Sequence, residues 1–519
     1  MTGYFSLVLH THMPYLRKNG AWPVGEDWLY QAMSETYLPL LGMLAQLDNE
    51  DISSCMGITM TPVLCEQLAD RYIQDRFIEY LKVMAEHTAS DIKDFEYFSD
   101  DKRKALGEAY YEDYRRKLLA FVAIDGDLLG ALSSFEQSGL VETIASSATH
   151  AFLPGLTDWR SVRAQVLLGL ESHRRRFGVN PAGFWMPECA YREGLEDLLE
   201  SEGVRYVLID PSALQGLPST YPYYVGSSRV AAIARSERAH RNAWDEHTGY
   251  PADDLYKDST KYYQGSGLHY WKVTGPNVSI ENKEIYAPGP AQARAFDHAR
   301  HFIKAIAEEL RAAPASPGNG AGAGAKPVVL ASYDTEFLGH GWKEGIYWLE
   351  IILRSLARSE GIRMTTPSRY LEQNPPSTSA TLGLTTWGTN KDDSTWINPE
   401  TAWMWEALGE TQKTLFGLED FRRGSALENR ALEQAAREVL LLETSDWPYM
   451  VAKNRAKEYS IERFCAHLER FREIAGMLEK GDIDKLESML GEIEETDNIF
   501  AQLDLETIFG RGIPPEEGN

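Results

Sequence analysis

Short apolar runs, rich in β-branched and aromatic residues, alternate along this chain with longer segments of helical periodicity. Seven runs are predicted to be strands, at residues 4–9, 52–58, 140–145, 183–186, 204–209, 327–331 and 361–364. The clearest helical patterns lie between them, at residues 62–86, 160–177, 290–312 and 344–359. Such alternation implies a parallel sheet, and this many repeats predicts an α/β fold built as an incomplete (β/α)7 TIM-like barrel.

Other parts of the chain depart from this alternation. Residues 87–137 are charged and helical, which predicts a helical insertion, and residues 211–282 form a long excursion rich in Tyr, Gly, Pro and Ser. Residues 313–326 are of low complexity, as is typical of a surface linker. After residue 395 the pattern becomes all-helical. We therefore expect a catalytic barrel at 1–395, with the insertion at 87–137, and an all-α C-terminal domain at 396–519.

The charge of the chain excludes some classes of partner. The formal net charge is −25, with 43% hydrophobic and 25% charged residues, a balance typical of soluble globular proteins. An acidic surface repels nucleic acid and anionic membranes, so neither is an expected partner. A neutral polysaccharide would not be repelled.

The four cysteines have a spacing that fits neither a zinc site nor a disulfide framework. The N-terminal residues lack the basic and apolar regions of a signal peptide. No window approaches the roughly 18 apolar residues of a membrane span. We therefore expect a cytoplasmic protein, present as a monomer or a small homo-oligomer.

Polar side chains recur just past the predicted strands. His10 and His12 follow the first strand, His150 the third, Glu188 the fourth and Asp334 the sixth. In α/β barrels the active site lies at the carboxyl ends of the strands, which brings such residues together. The pattern therefore predicts one catalytic site built from several strands.

Two carboxylates on two barrel strands suit the cleavage of a glycosidic bond. One of them attacks the anomeric carbon while the other protonates the leaving oxygen. Glu188 follows an apolar, aromatic strand, an environment that desolvates a carboxylate and tunes its pKa. The alternative for Glu188 and for Asp334 is a structural role in capping the helix that follows.

The two histidines near the N-terminus flank one threonine, so on a strand both imidazoles of His10 and His12 point to one face. They could bind a metal or orient a sugar hydroxyl, but no neighbouring Asp or Cys completes a set of zinc ligands. His150 and His340 are similar candidates, each with a structural alternative. In the segment after residue 385, Trp387 and Trp396 lie among Gly, Asn and Asp, which favours stacking on sugars.

Five motifs in chain order resemble those of glycoside hydrolase family 57, and within it the 1,4-α-glucan branching enzymes. They are HTHMP at 10–14, ATHAFLP at 148–154, WMPECAY at 185–191, YDTE at 333–336, and the Trp-Gly pair at 387–388 with the tryptophans that follow. The resemblance implies a seven-stranded barrel and retaining chemistry without a metal or other cofactor. It implies that Glu188 is the nucleophile and Asp334 the acid/base.

The resemblance also implies a substrate and the residues that bind it. The substrate is α-glucan, as donor and acceptor chains, and the implied binding residues include His10, His12, His150 and His340. Tryptophans line the acceptor groove in the branching enzymes, and the equivalents implied here are Trp22 or Trp28, Trp244, Trp387 and Trp396.

Two departures from the family pattern affect whether we expect the enzyme to transfer glucan chains or to hydrolyse them. The segment at 337–342 reads FLGHGW where Leu-Phe-Gly-His-Trp-Trp is usual. The tyrosine-tipped loop that covers the site in branching enzymes corresponds to a short stretch at 212–229, where Tyr221, Tyr223 or Tyr224 could serve. The alternatives are a hydrolytic or 4-α-glucanotransferase member of the family, a metal-dependent deacetylase-like barrel, and a glycan-binding protein without catalysis.

Overall fold

Ten strands form one curled sheet in the computed structural model, which describes residues 2–245, 248–317 and 324–510. They are β1 (Gly3–Thr11), β2 (Met56–Met60), β3 (Val141–Ser146), β4 (Gly183–Trp185), β5 (Tyr206–Ile209), β6 (Tyr223–Val225), β7 (Ala231–Ala234), β8 (Val328–Asp334), β9 (Ile362–Met364) and β10 (Ser379–Ala380). Their order is β10-β6-β7-β5-β4-β3-β2-β1-β8, and β9 pairs with β1.

Seven of these strands run parallel around the curl: β8, β1, β2, β3, β4, β5 and β7. The two ends of this set approach each other, because Arg235 and Leu330 form a single β-bridge and the Ser236 N–H donates to the Leu330 carbonyl at 2.7 Å. The prediction of an incomplete seven-stranded barrel is confirmed.

One of the seven barrel strands differs from the prediction. It is β7, which lies inside the region 211–282 that was expected to be an excursion, whereas the predicted strand at 361–364 is β9, beside the start of β1. Strand β7 reads Ala-Ala-Ile-Ala, so its short, small side chains give little apolar signal. The stretch 212–229 contains β6, which pairs antiparallel with β7 as an extension of the sheet.

Helices surround the sheet and continue beyond it. They are α1 (Glu26–Ala32), α2 (Leu38–Asn49), α3 (Pro62–Leu68), α4 (Arg71–Tyr97), α5 (Asp101–Ala123), α6 (Leu128–Ser138), α7 (Trp159–Phe177), α8 (Leu195–Ser201), α9 (Glu237–Trp244), α10 (Pro288–Ala312), α11 (Gly345–Ala357), α12 (Pro367–Gln373), α13 (Ala402–Gly417), α14 (Ala426–Leu442), α15 (Asp446–Ala452), α16 (Lys457–Lys480), α17 (Ile483–Thr496) and α18 (Leu505–Phe509). A π-helix, Met33–Tyr37, joins α1 to α2.

The long helices α4 and α5 pack against each other. They lie between β2 and β3 in the chain and overlap the region where the helical insertion was expected. Their N-termini are capped by the side chains of Asp70 and Asp100, each accepting a backbone N–H of the first turn. Within the described residues no single helix is long and apolar enough to cross a membrane. Helices α5 and α6 reach the length and apolar composition of a membrane span only if they are counted together, and they are bent by 72° relative to each other.

The C-terminal helices α13, α14, α16, α17 and α18 share an apolar core and lie against the barrel near the end of β3. The apolar side chains of α15 pack instead into the core that contains β4, β5 and β7. The Thr149 hydroxyl donates to the Leu440 carbonyl at 2.5 Å, and the Ser445 N–H donates to the His150 carbonyl at 3.0 Å. These contacts hold the start of α15 at the carboxyl end of the barrel strands. The predicted domain boundary at residue 395 stays a prediction, and residues 318–323 of the predicted linker and 511–519 lie outside the described residues.

Candidate active site

The carboxyl ends of four barrel strands bring five predicted site residues together. His10 is paired in register with Asp334 on the neighbouring strand. The Nε2 atoms of His10 and His150 lie 3.0 Å apart, and the ring centroids of His12 and His150 lie 4.0 Å apart. Glu188 joins this group because its Oε1 lies 3.8 Å from His150 Nδ1. The sequence rule that polar residues gather at strand ends therefore located this cluster.

Glu188 sits in a 3-10 turn, Pro187–Cys189, with φ at 61°, the left-handed region that residues other than glycine rarely adopt. Its carboxylate accepts two hydrogen bonds, from the Trp387 indole at 2.8 Å and from the Ser445 hydroxyl at 2.7 Å. Its carbonyl accepts a third, from the Trp387 backbone N–H at 2.9 Å. An unfavourable backbone conformation held by surrounding contacts is typical of a functional position.

Burial raises the pKa of Glu188, while the hydrogen bonds from Trp387 and Ser445 oppose that rise by stabilising the ionised form. Burial and the nearby carboxylates of Glu336 and Glu188 raise the pKa of Asp334 well above its ordinary value, against the opposing effect of Arg235. No hydrogen bond to the Asp334 carboxylate is formed by the part of the chain that the structure describes. The pKa of Asp334 is thus raised without the hydrogen bonds that oppose the rise at Glu188, a contrast that suits Asp334 to the role of acid and Glu188 to that of nucleophile.

Glu336, two residues after Asp334, is held from two sides. Its Oε1 accepts from the Tyr37 hydroxyl at 2.5 Å and from the His12 backbone N–H at 3.3 Å. Burial raises the pKa of Glu336 to about 7, despite these hydrogen bonds. Tyr37 comes from the π-helix, a form that often marks functional positions. Gly339 lets the following loop approach this helix, since a Cβ there would lie 2.1 Å from the Glu35 carbonyl oxygen.

The pKa values of the three histidines are shifted in different directions. Burial, together with the neighbouring imidazoles, lowers the pKa of His10 and of His150 well below the ordinary value. For His12, burial is outweighed by the Asp446 carboxylate, which lies 2.8 Å from Nε2, and its pKa is raised. The same ion pair lowers the pKa of Asp446 to about 2 against the effect of burial. The pairing thus favours a protonated His12 beside an ionised Asp446, whereas burial favours the neutral forms of His10 and His150.

In this cluster the donor atoms that are close enough to hold a metal belong to a different set from the His10 and His12 pair that the sequence suggested. Both ring nitrogens of His10 are already engaged, by Thr59 at 2.6 Å and by His150. Donor atoms of His12, His150 and Asp446 lie within 4.8 Å of one another, a spacing that could hold a cation. In the structure these donors are engaged by protein groups, with His12 paired to Asp446 and His150 Nδ1 lying 2.9 Å from the Ser445 hydroxyl.

The predicted aromatic residues fall into two groups. Trp387 lies in the cluster, edge-on to Trp185, which itself stacks on His10 at 4.5 Å between ring centroids. Trp396 does not present a face to a sugar: its side chain is 1% exposed and stacks on Phe152 at 4.9 Å. It supports the loop of His150 from behind, which corrects the expectation that it stacks on substrate.

Tyr221 is not among the residues brought together. It is buried in the core, and its hydroxyl donates to the Pro314 carbonyl at 2.8 Å. Its neighbour Thr220 accepts the backbone N–H of Val328, at the amino end of β8 and so at the opposite end of the barrel. The expectation that Tyr221 tips a covering loop is therefore wrong, because this stretch extends the sheet.

The other predicted binding residues are not part of this cluster. Trp244, at the end of α9, is 38% exposed and packs on Phe337 at 4.6 Å between ring centroids. His340 lies 2.6 Å from the Glu35 carboxylate. Trp22 is 79% exposed, whereas Trp28 is partly buried and packs edge-on against Tyr459.

Sequence reasoning missed several side chains of the site. Ser445 and Asp446 come from the C-terminal helices, in a Ser-Asp-Trp-Pro stretch that reads as an ordinary helix start. Arg235 follows the unrecognised strand β7 and pairs, together with Lys391, with the buried carboxylate of Asp210. Arg235 could have been found if strand β7 had been recognised, because Arg235 directly follows its carboxyl end. The sequence around Ser445 and Asp446 has no pattern that indicates a place in the site.

Comparison with known proteins shows which family the chain resembles. Residues 6–382 match the model of glycosyl hydrolase family 57, and residues 410–508 match that of the 1,4-alpha-glucan branching enzyme C-terminal region. A 1,4-alpha-glucan branching enzyme from Thermococcus kodakarensis is 36% identical, over 96% of this chain and 78% of the relative.

Solved structures are also similar. The branching enzyme from Pyrococcus horikoshii superposes with a TM-score of 0.91 at 34% identity, covering 99% of this chain and 98% of the other. The alpha-amylase from Thermotoga maritima gives a TM-score of 0.87 at 26% identity, covering 99% of this chain and 100% of the other. The chain belongs to glycosyl hydrolase family 57.

Proposed function

We propose that this chain is a branching enzyme with a retaining double-displacement mechanism. It cleaves α-1,4 bonds of α-glucan and transfers the segment bound to Glu188 to an acceptor chain through an α-1,6 bond. The observation that carries the proposal is the pair of carboxyl groups in contrasting environments. Glu188 has two hydrogen-bond donors, and Asp334 has none among the described residues. The similarity to branching enzymes over nearly the whole chain supports the substrate class.

In the first step Glu188 attacks the anomeric carbon, and Asp334 gives its proton to the leaving oxygen. The bond between the anomeric carbon and that oxygen breaks as the ester bond to Glu188 forms. The indole of Trp387 and the hydroxyl of Ser445 aim the carboxylate and hold it ionised. The shortened donor chain leaves with a new hydroxyl.

In the second step the roles reverse. Asp334, now ionised, takes the proton of an acceptor 6-hydroxyl, whose oxygen attacks the anomeric carbon and displaces Glu188. Two inversions restore the α configuration. His10, His12 and His150 lie beside the two carboxyl groups, where Thr59, Asp446 and Ser445 fix the orientations of their rings. A cytoplasmic location and a monomeric or small oligomeric state stay predictions.

The test of the activity is incubation with amylose. Two quantities are measured on the product: new reducing ends, and chains released by an α-1,6-specific debranching enzyme. We expect many releasable chains and few reducing ends. Reducing ends without releasable chains would instead assign the chain to hydrolysis, the activity named for the Thermotoga maritima relative.

The pH dependence of the activity tests the coupling between Asp334 and Glu336. The Glu336 carboxylate helps to raise the pKa of Asp334, so the change Glu336→Gln should lower that pKa. Asp334 would then lose its proton at a lower pH, and the alkaline limb of the kcat/KM profile should move down by about one pH unit. The profile is measured on amylose, with the exposed Glu372→Gln as control. An alkaline limb that does not move would contradict the coupling.

A further inference from the structure

A groove of about 460 Å³ lies between the loop that follows Trp387 and the end of α15. We call it the loop–helix groove. Its polar lining consists of Thr389, Asn390, Ser394, Thr395, Asn398, Glu400 and Lys453.

Both walls of the loop–helix groove begin at the catalytic cluster. The loop starts at Trp387, whose indole and backbone N–H both bond to Glu188. The helix α15 starts at Asp446, the partner of His12, and ends one residue before Lys453. A seven-residue helix is about 10 Å long, so the groove lies roughly that far from the cluster. A chain of a few glucose units bound at the cluster would therefore reach it.

The loop is held in place by contacts at both of its ends. The Lys453 ammonium donates to the Thr389 hydroxyl at 3.2 Å, and Lys457 pairs with Glu400 at 2.8 Å. In between, the Asn398 amide donates to the Ser394 carbonyl at 3.1 Å and accepts the Glu400 N–H at 3.0 Å. A groove fixed in this way loses little entropy when it binds a ligand.

The chemistry of the lining fits a neutral chain with many hydroxyl groups. Asn390 is exposed and gives one amide donor to Ser394 at 3.1 Å, which leaves its carbonyl oxygen and second donor for a ligand. Lys453 likewise has donors beyond the one given to Thr389. We propose that the loop–helix groove is a remote subsite that binds further glucose units of an α-glucan chain whose reacting bond lies at Glu188. This inference rests on the proposed function for the class of substrate.

The test measures binding without turnover. In the Glu188→Gln background, the double change Asn390→Ala with Lys453→Ala is compared with Arg358→Ala with Arg363→Ala. The two arginines of this control line a separate groove of about 690 Å³ that also contains Ile362 of β9, beside the start of β1. Calorimetry gives Kd for maltotriose and for a maltooligosaccharide of about ten glucose units.

We expect Kd for the long chain to rise about tenfold in the groove variant, the effect of losing a few hydrogen bonds, with Kd for maltotriose unchanged. The arginine control should change neither value. An unchanged Kd for the long chain, or an equal loss for both lengths, would overturn the proposed subsite. A protein that forms no α-1,6 bonds but shows the length-dependent loss would refute branching and leave the subsite standing.

Discussion

Replacing Glu188 by Gln is expected to abolish turnover of α-glucan, both transfer and hydrolysis. The amide cannot form the covalent ester, and loss of a nucleophile costs about 10⁶ in kcat in enzymes where it has been measured. Gln fits the site, because its carbonyl oxygen can accept from the Trp387 indole while its NH₂ donates to the Ser445 hydroxyl, which can rotate to accept. The loss should therefore be chemical, with the fold retained.

The measurement is release of reducing ends and of debranched chains from amylose, and release of fluoride from α-glucosyl fluoride. The fluoride leaves without a proton, so a variant that lacks only the acid would still react with it. Glu336→Gln is the matched control, since it makes the same chemical change in the same cluster and should retain activity. Residual activity of Glu188→Gln within about tenfold of the unchanged protein would refute the role of nucleophile.

The sequence predicted the parts of this site that depend on local patterns along the chain. The positions of Glu188, Asp334 and His150 follow from a rule about strand ends, which needs only the strand pattern and the parallel topology. Large apolar side chains made β1, β4 and β8 easy to recognise. The strand Ala231–Ala234 was missed because alanine carries little apolar signal and tyrosine, glycine and serine surround it.

The contacts made across long stretches of chain could not be predicted. Ser445 meets Glu188 across 257 residues, and Asp446 meets His12 across 434, because α14 and α15 dock on the end of β3. No local pattern encodes that docking. The sequence does not show which side chains face the site either. Trp387 and Trp396 occur in the same polar stretch, yet Trp387 donates to Glu188, whereas Trp396 is buried against Phe152.

The two carboxyl groups should be distinguishable by the substrates that their variants still accept. Asp334→Asn removes the proton that the leaving oxygen of amylose requires, and general acid catalysis typically contributes 10²- to 10⁴-fold, so turnover of amylose should fall by about that factor. With α-glucosyl fluoride the first step should survive, because fluoride needs no proton. The second step lacks its base, and the glucosyl ester on Glu188 should accumulate, visible as one added hexose by mass spectrometry.

Added azide should then release this ester, because an anionic nucleophile needs no base, and the product should be the α-glucosyl azide after the second inversion. The same variant should also lose the alkaline limb of the pH profile, since burial and the carboxylates of Glu336 and Glu188 raise the pKa of an acid that is no longer present. Equal loss on both substrates, with no rescue by azide, would mean that Asp334 maintains the structure of the site. Burial raises the pKa of Asp334 well above its ordinary value and so favours the protonated form. Only a group that starts protonated can act first as the acid and then as the base.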